Sequence, residues 1–150
     1  MSGQFVIKID DKKALDMFTG ISQRASNPIE ANKIIADMMR KDVLNHFDRM
    51  AGGEDEQWVD LKPKTWEWKR KHGYRNILIN TGELRKRNVA EAGKDFALVY
   101  NDMVYAKPMN NGDTSKNIPA RPFMWLSKFS LDRIVRVMAN YIVRKGLLSA

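Results

Sequence analysis

The run NPIEANKIIADMMRKDVLNHFDRMAGG, residues 27–53, decides how the rest of the chain is read. Its first four residues, Asn27-Pro28-Ile29-Glu30, read as a helix start: Asn27 as cap, Pro28 at the first helical position, and Glu30 completing a capping-box arrangement. Ile34, Ile35, Met38, Met39, Val43, Phe47 and Met50 then recur at helical spacing until Gly52-Gly53. That pattern predicts one helix of about 24 residues, roughly 36 Å long at a rise of 1.5 Å per residue. A helix of that length in a chain of 150 residues is its spine, with an end free to project toward a neighbour.

On either side of the spine the signals are shorter. Phe5, Ile7 and Ile9, alternating with Val6 and Lys8, predict a strand covered on both faces. A helix is expected over Asp11 to Gln23, with Leu15, Phe18 and Ile21 on one face and Gly20 as its weak point. After the spine comes an acidic loop from Gly52 to Asp60, then a short helix from Lys62 to Lys71 ended by Gly73. Thr81 is placed to cap a turn in the run Asn76 to Leu84. Arg87 to Ala92 and Phe96 to Tyr100 flank Gly93-Lys94-Asp95, a hairpin signal with glycine at an expected positive φ.

Farther along, Met109 to Asn117 is polar and aperiodic, so a mobile surface loop is expected at about 109–117. Pro119 and Pro122 force Ile118 to Phe123 into an extended path that cannot be a central strand. A last helix should open at Ser130, with Asp132 in its first turn and Ile134, Val137, Met138, Tyr141 and Ile142 on one face, and end near Gly146. The expected fold is α+β: a small, mainly antiparallel sheet of three to four strands packed with the long helix and two to three shorter ones, in one domain over 1–150.

Composition narrows the function. At 43% hydrophobic residues the chain suits one core, no run approaches the ~18 apolar residues of a membrane span, and the N-terminus lacks a signal peptide's basic start. A soluble, unprocessed protein is expected. Without cysteine, disulfides, thiolate metal sites and cysteine nucleophiles are excluded. The net charge of +8 is unevenly spread: residues 62–87 hold 9 Lys/Arg against 2 Asp/Glu, whereas residues 1–61 hold 8 against 11. Alternating acidic and basic blocks can pair across subunits or turn a basic block toward nucleic acid, or they can simply be solvated surface.

Chemistry is sparse. His46 and His72 lie in different elements with no HExxH pattern, so His46 is read as edging the core and His72 as exposed. Gly52-Gly53 precedes Glu54-Asp55-Glu56, which would repel a phosphate, and that acidic run lacks the alternating spacing of a cation site. No serine has a nucleophile-elbow context. Neither an enzyme nor a cofactor is expected. The one suggestive patch is Lys62 to Arg75, which interleaves Trp66, Trp68 and Tyr74 with Lys62, Lys64, Lys69, Arg70, Lys71 and Arg75, and continues to Arg85, Lys86 and Arg87. Aromatics among cations suit nucleic-acid stacking or an acidic partner. On a helix Trp66 and Trp68 point about 200° apart, so one should be core and the other surface.

Several pieces, in this order, resemble a known family. After Phe47 and a glycine-rich loop come Trp58-Val59-Asp60-Leu61, similar to W-x-x-L, then Lys64-Thr65 and later lysines, similar to a T-x-x-x-K helix. Ile77-Leu78-Ile79-Asn80-Thr81-Gly82-Glu83-Leu84 resembles L-x-x-T-G-x-L, Val104-Tyr105-Ala106 carries Y-A, and Ile118-Pro119-Ala120-Arg121-Pro122-Phe123 is I-P-A-R-P-F. Together these resemble the virion morphogenesis, or tail-completion, family of tailed bacteriophages, over about two-thirds of the chain. Lys107-Pro108-Met109 departs from the histidine and glycine that the family shows after Y-A, and residues 1–26 carry no signature.

The resemblance implies a structural protein of the neck or upper tail, assembled in the host cytoplasm, which completes the tail and joins it to the head as a homo-oligomeric ring, commonly a hexamer. It implies tail tube, tail terminator and head-tail connector proteins as partners, DNA passing through the lumen, and no membrane. Trp58, Leu61, Ile118, Pro119, Arg121, Pro122 and Phe123 are then candidate subunit contacts. The other reading of the proline segment is a rigid connector that delivers Phe123 and Trp125 to the core. Arg121, presented from a stiff segment and partly desolvated, needs a carboxylate or several carbonyls, and the Glu54 to Glu56 loop is a candidate partner. The alternative function is that of a small basic nucleic-acid-binding protein.

Overall fold

The computed structural model describes residues 11–143. In chain order it has helices α1 (Asp11–Ser26), α2 (Ile29–Arg49), α3 (Pro63–Lys71) and α4 (Glu83–Lys86), strands β1 (Asn88–Ala92) and β2 (Ala97–Asn101), then α5 (Ala106–Asn111) and α6 (Lys128–Val143). The class is α+β. The sheet is smaller than the expected three to four strands: among the described residues β1 and β2 form one antiparallel hairpin. The strand expected at Phe5 to Ile9 lies outside the described residues.

Helix α2 is the spine, but its ends differ from the sequence reading. Pro28 is the N-cap residue, its carbonyl accepts the first helical bond from Asn32 N at 2.9 Å, and no side chain caps the helix, so Asn27 does not play the expected part. The chain has only Asn27 and Pro28 between α1 and α2, too short a joint for Asn27 to fold back on the first turn. At the other end the helix stops at Arg49 after 21 residues, because Met50 adopts a left-handed conformation with φ 52° and Ala51 N bonds His46 O. Gly52 serves a different need: a Cβ there would meet Trp58 Cδ1 at 3.2 Å.

One side of α2 carries the hairpin. Asn32 Nδ2 donates to Gly93 O and Lys94 O, and Arg40 Nε donates to Asn88 O at 2.7 Å, so the spine grips both ends of β1. Gly93 is not in the positive-φ region expected of it; the tight turn is held by Gly93 N donating to Phe96 O. Buried Asn88 donates to Leu84 O and Arg85 O and accepts from Asn101 Nδ2, tying α4 to both strands.

Helix α6 runs against α2 and starts at Lys128, two residues earlier than expected. Ser127 Oγ accepts from Ser130 N, and Asp42 on the spine accepts from both Ser127 N (2.7 Å) and Ser127 Oγ (2.9 Å). Glu54 accepts from Lys128 N, so carboxylates from two directions meet the positive end of the α6 dipole. The core gathers Val43, Phe47, Trp58, Ile77, Leu84, Ala106 and Phe123. Phe47 packs edge-on to Trp58 at 5.6 Å and tilted to Phe123 at 4.9 Å between centroids.

Candidate functional site

The proline segment decides what the chain's most distinctive motif does. Residues 118–124 run extended without joining the sheet, so their backbone groups need other partners. They find them one by one. Arg121 N donates to Met109 O, Trp58 Nε1 donates to Pro122 O at 2.6 Å, and His46 Nδ1 donates to Phe123 O at 2.9 Å. Asn110 Oδ1 accepts from both Phe123 N and Met124 N at 2.9 Å. At its start, Ile118 and Asp113 exchange backbone bonds across the 3-10 turn Thr114–Lys116.

The stretch 109–117 is therefore more structured than its composition suggests. Met109 and Asn110 lie in α5, and Asp113 caps the 3-10 turn through Ser115 N. Gly112 has φ +80° and a Cβ there would meet Ala120 N at 2.9 Å, so only glycine lets this turn lie against the strap formed by residues 118–124.

Arg121 is the centre of this lock. It is only 6% exposed, and its guanidinium reaches backward to two carbonyls, Nε to Val59 O at 2.8 Å and Nη2 to Asp60 O at 3.2 Å. Of the two kinds of partner expected, the carbonyls are the ones found; Glu54 instead meets Lys128 N at the start of α6. Burial pulls the Arg121 pKa down, partly offset by the nearby Asp60 carboxylate.

His46, expected at the edge of the core, is fully buried, stacked on Trp125 with centroids 3.8 Å apart and planes 4° from parallel. Its Nε2 has no hydrogen-bond partner and sits 3.8 Å from Asp42 Oδ1. Burial pushes its pKa below the usual value, outweighing the Phe123 carbonyl and Asp42.

Of the seven candidate contact residues, Trp58, Arg121 and Phe123 are thus buried within the chain and Leu61, Ile118 and Pro122 are partly so; only Pro119 is exposed. The motif W-x-x-L and the motif I-P-A-R-P-F are two halves of one intramolecular lock, in which Trp58 and Arg121 each bond the other segment. As subunit contacts the buried three are unavailable in this conformation, because the chain's own packing uses their side chains.

The basic block divides in the same way. Lys62, Lys64, Arg70 and Arg75 are exposed and make no ion pair among the described residues. Lys71 faces Glu67 at 3.7 Å, Arg85 pairs with Asp48 at 2.8 Å, Lys86 with Glu83 at 3.6 Å and Arg87 with Asp102 at 3.2 Å. Lys69 is not part of the surface, at 2% exposure. Trp66 is half-buried and donates to Asp60 Oδ1, whereas Trp68 is exposed and stacks on His72 at 4.2 Å and more loosely on Tyr74. The aromatic faces are spent largely on one another.

A second surface escapes the sequence reading. Helix α6 turns its expected face of Ile134, Val137, Met138, Tyr141 and Ile142 inward only partly, and leaves Leu131, Val135, Ala139 and Val143 exposed at intervals of four residues. Those four form one i, i+4 row, the kind of ridge that seats in another helix's groove. Val135 is 68% exposed. Helix α1, docked on α6 where Arg24 Nε donates to Ile142 O, exposes Leu15, Met17 and Phe18 as well. A period of four with apolar residues on both faces of the helix is the signal that could have found this row.

Among the described residues no group of three or more metal-ligating side chains converges, and no helix is long and apolar enough to cross a membrane. Compared with protein-family models, with curated proteins and with solved structures, the chain matches none of them.

Proposed function

We propose that this chain is a structural virion protein that completes a phage tail at its neck or upper end and joins it to the head, working as a homo-oligomeric ring, sixfold by the family resemblance. The observation that carries the reading is the row Leu131, Val135, Ala139 and Val143 on α6, with the exposed apolar residues of α1 beside it. Isolated exposed leucines are ordinary, but a helix-long apolar row is a surface built to be covered. A heterologous contact that seats this row against a different surface of the next subunit closes into a ring when its rotation permits.

The ordered motifs support the same reading in a different way. Two of them, W-x-x-L and I-P-A-R-P-F, form the lock between the 58–61 segment and the strap, so part of what resembles the phage family defines the fold. Tail tube, tail terminator and connector proteins are the partners this role requires, and DNA would pass the exposed cations Lys62, Lys64, Arg70 and Arg75 if they line the lumen.

Sedimentation velocity and negative-stain microscopy of the purified chain test the proposal. Closed rings of uniform mass are expected, either alone or on addition of tail tubes. A monomer under both conditions, with duplex-DNA affinity falling steeply with salt, would favour the alternative of a small nucleic-acid-binding protein.

A further inference from the structure

Between α3, the segment 77–84 and the strap lies a cleft of about 390 Å³, within the size range of small-ligand sites. Its walls are largely apolar, with Leu61, Trp68, Leu78 and Met109 among them, yet two cations line it: Lys69 and Arg121. Both are more than nine-tenths buried.

Neither cation has a carboxylate bonded to it. Lys69 Nζ donates to Ile79 O at 3.0 Å and to Asn80 Oδ1, and lies 5.5 Å from the Tyr74 ring centroid. An ammonium has three donors, and the two oxygens it meets are neutral. Arg121 spends two of its five N–H groups on backbone carbonyls. The carboxylate of Asp60, which acts on Arg121 from outside the cleft lining, accepts from Leu61 N and Trp66 Nε1. Glu83 is the one carboxylate in the cleft lining, and it faces Lys86 at 3.6 Å.

Burying a charge without a counter-charge costs free energy that carbonyl dipoles offset only in part. Burial alone pulls the Lys69 pKa down, with no opposing carboxylate. Lys69 and Arg121 thus put two cations, neither bonded to a carboxylate, against the single carboxylate of Glu83 in the wall of a largely apolar cleft.

We propose that this cleft is a binding site for an acidic peptide segment: a glutamate or aspartate side chain with an apolar neighbour, its carboxylate taken by Arg121 and Lys69 and its neighbour by Trp68, Leu78 and Met109. The shape favours a peptide over a nucleic acid. Lys69 sits at the wall of a concave, apolar cleft, which a single side chain enters and a phosphate flanked by its duplex does not. The inference does not depend on ring formation, since every residue involved belongs to one chain.

The test is a titration of the full ¹⁵N-labelled chain at low salt with N-acetyl-Leu-Glu-amide, and separately with N-acetyl-Leu-Gln-amide, inorganic phosphate and a short DNA duplex. The glutamate peptide should shift the Gly82 amide, the Trp68 indole and the Arg121 Nε–H signals saturably, and bind at least about tenfold more tightly than the glutamine peptide. Lys69→Met should lower the glutamate peptide's affinity by about tenfold in a chain that still melts cooperatively. Equal affinity for the two peptides, or no saturation with either, would overturn the proposal without recourse to a variant. So would stronger binding of phosphate or of the duplex at the same signals, or undiminished binding by a folded Lys69→Met.

Discussion

Two parts of this molecule treat their side chains in opposite ways. In the lock formed by α2, the 58–61 segment and the strap, nearly every large side chain is spent inside the chain: Trp58, Phe123, Arg121 and His46 are buried and each holds a specific neighbour. In the layer of α1 and α6, large apolar side chains face outward, from Phe18 at 66% exposure to Phe129 at 69%. The difference separates two kinds of sequence information. Residues in the lock specify the fold through contacts made within the chain, whereas the α1 and α6 layer contributes little to this chain's core and leaves its large apolar side chains exposed.

Substitutions should sort along that division. The largest effect is expected from Phe123→Ala, which removes a fully buried ring packed on Phe47 and frees the strap, and should cost about 3–5 kcal/mol in urea unfolding. Arg121→Lys comes next, at roughly 1–3 kcal/mol, because an ammonium cannot reproduce the fork that holds both Val59 O and Asp60 O. If Arg121→Lys melts with the parent, the lock is a matter of apolar packing and the two carbonyl bonds contribute nothing.

A smaller, pH-dependent effect should come from His46. Its folded pKa lies below the unfolded value of 6.5, so the unfolded chain takes up a proton first as pH falls. The stability that neutral His46 provides is complete above about pH 6.5 and is lost as pH drops through that value toward the folded pKa. Thermal melts from about pH 8 to about pH 5 should therefore show a decline beginning near the unfolded pKa that His46→Gln flattens. An identical profile in the variant would mean that another group sets the acid limb.

The spine, the hairpin and the extended proline segment are legible because each is written locally, in a helical period, a glycine turn and two prolines. The helix ends are not. Asn27 looks like a cap, but the short joint to α1 places Pro28 there, and Met50 rather than glycine takes the left-handed stop. The lock is invisible for a different reason: His46 to Phe123 and Asp42 to Ser127 join positions 77 and 85 residues apart, and no local pattern marks such a pairing. Arg121's need for a partner can be reasoned from its prolines, yet the identity of that partner depends on how the 58–61 segment folds back. Lys69 shows the converse error, since a lysine in a basic run reads as surface until tertiary packing buries it.

The proposed assembly surface is the α6 row, and the lock is not part of it. The direct test is the mass in solution of the parent and of the double variant Leu131→Glu, Val135→Glu, measured by sedimentation velocity beside a thermal melt of each. Both positions are exposed, so the variant should lose no more than about 0.5 kcal/mol of stability per site. It should sediment as a monomer where the parent sediments as a ring. A double variant that assembles like the parent would contradict the account, and would move the subunit contact away from α6.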